Sequence, residues 1–112
     1  MLSRLNRLTR NKDFQRIYDH GQTCRGPYLM IKVLKNELSI NRLGIVVSKK
    51  ISKKAVTRNK IKRWIRYLFS QELFQLRPGY DIMVITYPKI RNQEYKTIKE
   101  NLMEVFKKAK LL

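Results

Sequence analysis

Ala55-Val56-Thr57-Arg58-Asn59-Lys60-Ile61-Lys62-Arg63-Trp64-Ile65-Arg66 divides into two faces when wound as a helix. Ile61, Trp64, Ile65 and Leu68 follow the i, i+3, i+4, i+7 rule and form one apolar stripe. Arg58, Lys62 and Arg66 fall four apart on a neighbouring face, with Asn59 and Arg63 beside them. Like charges at that spacing destabilise an isolated helix by about 0.2–0.5 kcal/mol per pair. The arrangement gains only where each cation finds an anionic partner. A row of phosphates supplies one, and releases counterions as it does so.

Working outward, the helix is predicted to end near Leu73. A basic loop, Lys49-Lys50-Ile51-Ser52-Lys53-Lys54, precedes it. Before that loop, Arg42 to Lys49 alternates as a strand. Leu43, Ile45 and Val47 point one way, and Gly44, Val46 and Ser48 the other. The second set is small, which predicts that something approaches that face closely. After the helix, Arg77-Pro78-Gly79 breaks the chain. Tyr80 to Tyr87 is the most apolar strand and is predicted to be central, with Pro88 ending it. A strand–helix–strand unit of this kind implies a crossover and parallel pairing.

Upstream, Asn11 is read as the cap of a helix from Lys12 to His20, with Asp13 in its first turn and Gly21 stopping it in a left-handed conformation. Gln22 to Arg25 reads as a short strand, and Tyr28 to Lys35 as a longer one. In the latter, Leu29, Ile31 and Val33 alternate with Tyr28, Met30 and Lys32. Asn36 to Asn41 suits a hairpin-like connection. Asn92 is read as the cap of a last helix running to about Lys110, with Tyr95, Ile98, Leu102, Val105, Phe106 and Ala109 on one side. Residues 1–10 are read as irregular. The predicted fold is an α/β (α+β) two-layer sandwich in the order α-β-β-β-α-β-α. It has a four-stranded mixed sheet and one βαβ crossover.

The 112 residues suit one domain, spanning 1–112. Lys and Arg total 26 against 8 Asp and Glu, a net charge of +18 that selects polyanions. A hydrophobic share of 43% is too high for a disordered basic tail. The lone Cys24 forms no intrachain disulfide and fits a reducing cytoplasm. No apolar run of signal-peptide type follows Met1 to Lys12, and no stretch approaches the roughly 20 apolar residues of a membrane helix. The expectation is a cytoplasmic protein without a membrane partner.

The acids Asp13, Asp19, Glu37, Glu72, Asp81, Glu94, Glu100 and Glu104 are scattered. Only Glu100 and Glu104 share helical spacing, which reads first as a surface pair with nearby lysines. His20 is the single histidine, and one His with one Cys does not make a zinc site. The P-loop pattern is absent. No catalytic residue and no protein-borne metal site are predicted.

The run from Ser48-Lys49-Lys50-Ile51 through Arg58-Asn59-Lys60-Ile61-Lys62-Arg63 to Arg66 resembles the signature of the bacterial ribonuclease P protein subunit, whose pattern is Arg-Asn-Arg-x-Lys-Arg-x-x-Arg. Leu8, Lys12-Asp13-Phe14 and His20-Gly21 resemble that family's opening. Arg42 to Lys50 resembles its second long strand, and Pro78-Gly79-Tyr80-Asp81 the approach to its next one. The resemblance implies a ribosomal-protein-like fold. It also implies a partner, the catalytic RNA of ribonuclease P, which holds magnesium ions and removes the 5′ leader of precursor tRNA. Arg58, Asn59, Lys60, Lys62, Arg63 and Arg66 match the family's RNA-contacting helix. Lys60 stands where the pattern has arginine, keeping the charge without the planar fork.

Lys49, Lys50, Lys53 and Lys54 read either as a solvated run or as further RNA contacts, and the adjoining helix favours contact. From pattern alone Phe14 and Tyr18 read more readily as core; the resemblance matches them to aromatic positions of the family's leader cleft and favours that role, since Ile17 already supplies a core anchor. Tyr28, Met30 and Lys32 are either an ordinary exposed strand face or the floor of that cleft. A structural ribosomal protein, sharing charge and fold type but lacking a leader cleft, is the alternative.

Overall fold

The structure is a computed structural model that describes residues 2–73 and 75–112. Its elements are a 3-10 turn (Arg4–Asn6), α1 (Asn11–His20), β1 (Gln22–Arg25), β2 (Leu29–Lys35), β3 (Arg42–Val46), α2 (Ala55–Glu72), β4 (Tyr80–Thr86), a second 3-10 turn (Pro88–Asn92) and α3 (Tyr95–Lys108). The sheet order is β1-β2-β4-β3. β1 pairs antiparallel with β2 and β2 with β4, while β3 runs parallel to β4. The predicted element order, mixed sheet and crossover are all present.

The hairpin expected at Asn36 to Asn41 is not. β4 lies between β2 and β3, so the connection skips a strand. Side chains at its two ends explain how it is held. Asn36 Nδ2 donates to the Ile40 carbonyl and to Asp81 Oδ1. Asn41 accepts from the Tyr80 N–H through Oδ1 and donates to the Arg77 carbonyl through Nδ2. Two asparagines therefore stitch the connection to the start of the central strand. Gly79, immediately before β4, has φ +91°, where a side chain would be strained.

Alternation along the strands sorts two cores. Leu29, Ile31 and Val33 of β2, Leu43 of β3, and Ile82 and Val84 of β4 face α2 and α3. There they meet Ile61, Ile65, Leu68, Phe69, Ile98, Leu102, Val105 and Phe106. Burying side chains such as Ile61, Ile65 and Leu68 contributes about 1.5–3 kcal/mol each. That outweighs the like-charge repulsion along the same helix. Trp64 completes the predicted stripe only in part: it is half-buried and packs edge-on against Tyr95, ring centres 5.6 Å apart.

Met83 of β4 faces the other way, joining Leu8 and Ile17 in a smaller core with Phe14, Leu34 and Ile85 packed on it. The sheet and the α2–α3 pair form the two expected layers, and α1 adds a short cover on the opposite face. Gly44 explains the predicted small face of β3. A Cβ there would collide with the Phe14 ring, so α1 is what approaches.

Three helix ends differ from expectation. Asn11 is the first residue of α1 rather than its cap, and Arg10 at the cap position makes no side-chain bond. Gly21 has φ −72°, not a left-handed value. Asn92 closes the second 3-10 turn, and Glu94 precedes α3. The N-terminal residues described are more ordered than expected. Leu2 and Leu8 are buried, the Leu8 N–H donates to the Leu43 carbonyl at 2.9 Å, and Arg7 bridges Leu43.

Candidate nucleic-acid interface

α2 carries its cations outward because its apolar stripe is committed to the sheet. Asn59, Lys60, Arg63 and Arg66 are exposed, and Arg58 and Lys62 half-buried. Among the described residues, no ion pair involves any of them. Asn59, Arg63 and Arg66 border one cavity. Lys60 turns aside, with Nζ 4.9 Å from the centre of the Trp64 ring.

Arg58 has a different task. Its Nη1 donates to the carbonyls of Ser52 and Lys53, at 2.9 and 3.1 Å. It thereby ties the basic loop to the first turn of α2. Ile51 and Ser52 anchor that loop by burial, and the Lys54 N–H donates to Ser52 Oγ. Lys49, Lys50, Lys53 and Lys54 are all left exposed. Loop and helix thus form one continuous cationic surface.

The second predicted group lies across the sheet. Phe14 and Tyr18 border an open groove with Asn11 and Gln15 of α1, Val46 of β3 and Met83 of β4; its volume is about 470 Å³. Phe14 is half-buried, wedged over Gly44, whereas Tyr18 is 58% exposed. Lys32 joins them: its Nζ sits 4.8 Å from the Tyr18 ring centre and donates to the Tyr18 carbonyl. Met30 occupies the same strand face, where Arg25 Nη1 approaches its sulfur at 3.6 Å. Tyr28 does not belong with this group. It precedes β2 and packs against the larger core, and its N–H donates to Asn101 Oδ1.

Sequence reasoning missed an ionic network that joins α1 to the starts of β3 and β4. Asp81 is fully buried at the start of β4. It accepts from Arg42 Nε and Nη2 at 2.8 and 2.7 Å, from Arg16 Nη2 at 3.2 Å and from Asn36 Nδ2. Asp13 stands within 4 Å of both arginines. The hydrogen bond to Asp81 makes Arg42 hold its proton more tightly than a free guanidinium, against the opposing effect of burial. Asp13 was assigned only to a helix dipole. The alternation that put Arg42 and Asp81 at strand ends gave no hint that the strands would be neighbours in register. Among the described residues, no group of three or more His, Cys, Asp or Glu is placed to hold a metal. No helix described is long and apolar enough to cross a membrane.

Fold and surface together define a class: a small basic α+β protein with an unneutralised cationic helix on one side of its sheet and an aromatic groove on the other. The family model described as Ribonuclease P matches residues 2–110. The Ribonuclease P protein component of Pseudanabaena sp. (strain PCC 6903) is 42% identical, over 100% of this chain and 97% of that protein. The solved structure of the Staphylococcus aureus RNase P protein is 37% identical with a TM-score of 0.89, covering 95% of this chain and 96% of that one. The RNase P protein from Thermotoga maritima is 34% identical with a TM-score of 0.84, covering 91% and 96%. The chain belongs to the ribonuclease P protein family, as the protein component of a ribonucleoprotein endoribonuclease.

Proposed function

We propose that this chain binds the catalytic RNA of ribonuclease P through α2 and the loop before it, and holds the 5′ leader of precursor tRNA in the groove beneath α1. The observation that carries the reading is the α2 surface: Asn59, Lys60, Arg63 and Arg66 are exposed, and none has a carboxylate partner among the described residues, while the half-buried Arg42 of the sheet does. In a chain of net charge +18, such a surface is completed by phosphates from outside.

Hydrolysis is assigned to the RNA partner and its magnesium ions. The chain's own residues do not suit such an ion. The two carboxylates that converge, Asp13 and Asp81, are already held by Arg16 and Arg42. The protein's contribution is positional. Cations on α2 reduce repulsion between two RNAs. Tyr18 offers a ring to an unstacked leader base, and Lys32, resting on that ring, offers a charge to the adjoining phosphate.

The test compares precursor and mature tRNA binding to the reconstituted protein–RNA complex. The expected result is tighter binding of the precursor, with the difference reduced by Tyr18→Ala. Equal affinities would remove leader recognition and favour a purely structural RNA-binding role. Loss of Tyr18 stacking should reduce precursor affinity by at least about fivefold, since one base–aromatic stack contributes about 1–3 kcal/mol.

A further inference from the structure

A cavity of about 370 Å³ lies between the N-terminal segment and the outer side of α2. Among the described residues it is lined by Leu2, Arg7, Asn59, Arg63, Arg66 and Tyr67. Three of the six are guanidiniums, and none of the three pairs with a carboxylate. Arg7 Nε is buried and finds no acceptor among the described residues. A buried donor left without a partner is uncommon and calls for an explanation. Leu2 supplies an apolar wall. Tyr67 supplies an aromatic one, 52% exposed and leaning on Tyr95 at a centroid distance of 6.5 Å. Asn59 adds an amide, able to donate and accept at once.

This combination differs from the other surface depressions. The one along α3 is lined by Lys96, Lys99, Glu100, Met103, Glu104 and Lys107, so it mixes charges and has no ring. The groove under α1 has rings and no arginine in its lining. Only between Leu2 and Tyr67, among the cavities described, do arginines, an amide and an aromatic face converge. A phosphate contact alone would need the arginines but not Leu2 or Tyr67. A hydrophobic peptide would not suit three unpaired cations. The volume falls within the roughly 300–1,000 Å³ typical of small-molecule pockets.

We propose that this cavity receives a single unstacked nucleotide of the partner RNA, its base against Tyr67 and Leu2 and its phosphate among Arg7, Arg63 and Arg66. The proposal rests on α2 being an RNA-binding surface and adds a base-dependent contact to it. Asn59 faces the base edge from the rim. The N-terminal segment, held to β3 by Arg7 and Leu8, forms one wall, so the pocket exists only when that segment is docked.

The experiment uses the full chain and two probes of equal length and charge: a short single-stranded oligoadenylate and the matching abasic ribose-phosphate oligomer. Affinities are measured for the unaltered protein, for Tyr18→Ala, and for Tyr67→Ala and Tyr67→Phe in the Tyr18→Ala background. Resonances of the Arg7 and Arg63 Nε–H groups are followed in parallel. The expected result is about a tenfold preference for the oligomer with bases. Part of that preference belongs to the Tyr18 groove; the remainder, measured in a Tyr18→Ala background, should be abolished by Tyr67→Ala and kept by Tyr67→Phe. The Arg7 Nε–H resonance should move on binding.

Equal, salt-dependent binding of both oligomers would overturn the nucleotide pocket and leave the RNA-binding surface standing. So would a preference that, in the Tyr18→Ala background, survives Tyr67→Ala. Failure of both oligomers to bind at low salt would overturn the RNA-binding reading itself. Because Tyr67 is half exposed, unchanged thermal melting of its variants separates lost binding from lost fold.

Discussion

Arg42 and Arg63 carry the same side chain and meet opposite fates. At the sheet edge, Arg42 shares two buried or nearly buried carboxylates with Arg16, and every charge there has a partner inside the chain. On α2, Arg63 and its neighbours have none. The chain has 8 acids to distribute among 26 cations, and it places two of them where a desolvated guanidinium would otherwise be costly. Cations that remain in water need no such support and stay available to an external polyanion. Internal neutralisation marks structure, and its absence on the exposed face of α2 is what the proposed RNA-binding role rests on.

The sharpest way to break this comparison is at Asp81. Asp81→Ala would leave Arg42 and Asn36 facing an empty site. Removing one partner of a buried pair costs about 3–5 kcal/mol. A denaturant melt should show a loss of this size, and a loss below about 1 kcal/mol would mean that the network behaves like a surface pair. A smaller effect is expected at Gly44. Gly44→Ala forces the Phe14 ring to move, an overpacking that costs about 1–3 kcal/mol. Because the same ring borders the groove, precursor binding should weaken while affinity for the catalytic RNA holds. Loss of both affinities together would tie the two surfaces into one.

The comparison sharpens further within α2. Arg58 donates to two backbone carbonyls, so Arg58→Ala should cost about 1–2 kcal/mol of stability along with RNA affinity. Arg63→Ala should change stability by no more than about 0.5 kcal/mol, as expected for an exposed residue without partners. Equal melting shifts for the two variants would show that the loop tie is not a structural bond.

Much of the fold was legible because it is written in local periodicity. The α2 stripe of Ile61, Ile65 and Leu68, the alternation of β2, and the apolar run of β4 ended by Pro88 each depend on neighbours in sequence. What could not be read depends on partners far along the chain. Nothing in Asn36 to Asn41 announces that β4 will insert beside β2, because the deciding bonds run from Asn36 to Asp81 and from Asn41 to Arg77 and Tyr80. Two helix starts differ for the opposite reason: Asn11 and Asn92 have the right chemistry for caps, and the chain opens α1 and α3 without using it. Gly21 does stop α1, its N–H donating to the Ile17 carbonyl, though at φ −72° rather than in a left-handed conformation.

The site divides the same way. The exposed face of α2 follows from its buried face, so the exposure of Asn59, Arg63 and Arg66 was legible. Gly44 and Val46 predicted a close approach, and Phe14 proved to be the approaching ring. Tyr28 was misassigned because strand alternation was extended one residue beyond β2. Arg7 and Tyr67 carried no signal, since only the docking of the N-terminal segment brings them together.

The account stands most directly on the salt dependence of binding to the catalytic RNA. Each phosphate contact removed should lower the slope of log affinity against log salt by about 0.7–0.9. Arg63→Ala and Arg66→Ala are predicted to do so one step each, with thermal melting unchanged. A slope that stays at its original value in the double variant, with the protein folded, would contradict the claim that these guanidiniums are kept free for RNA.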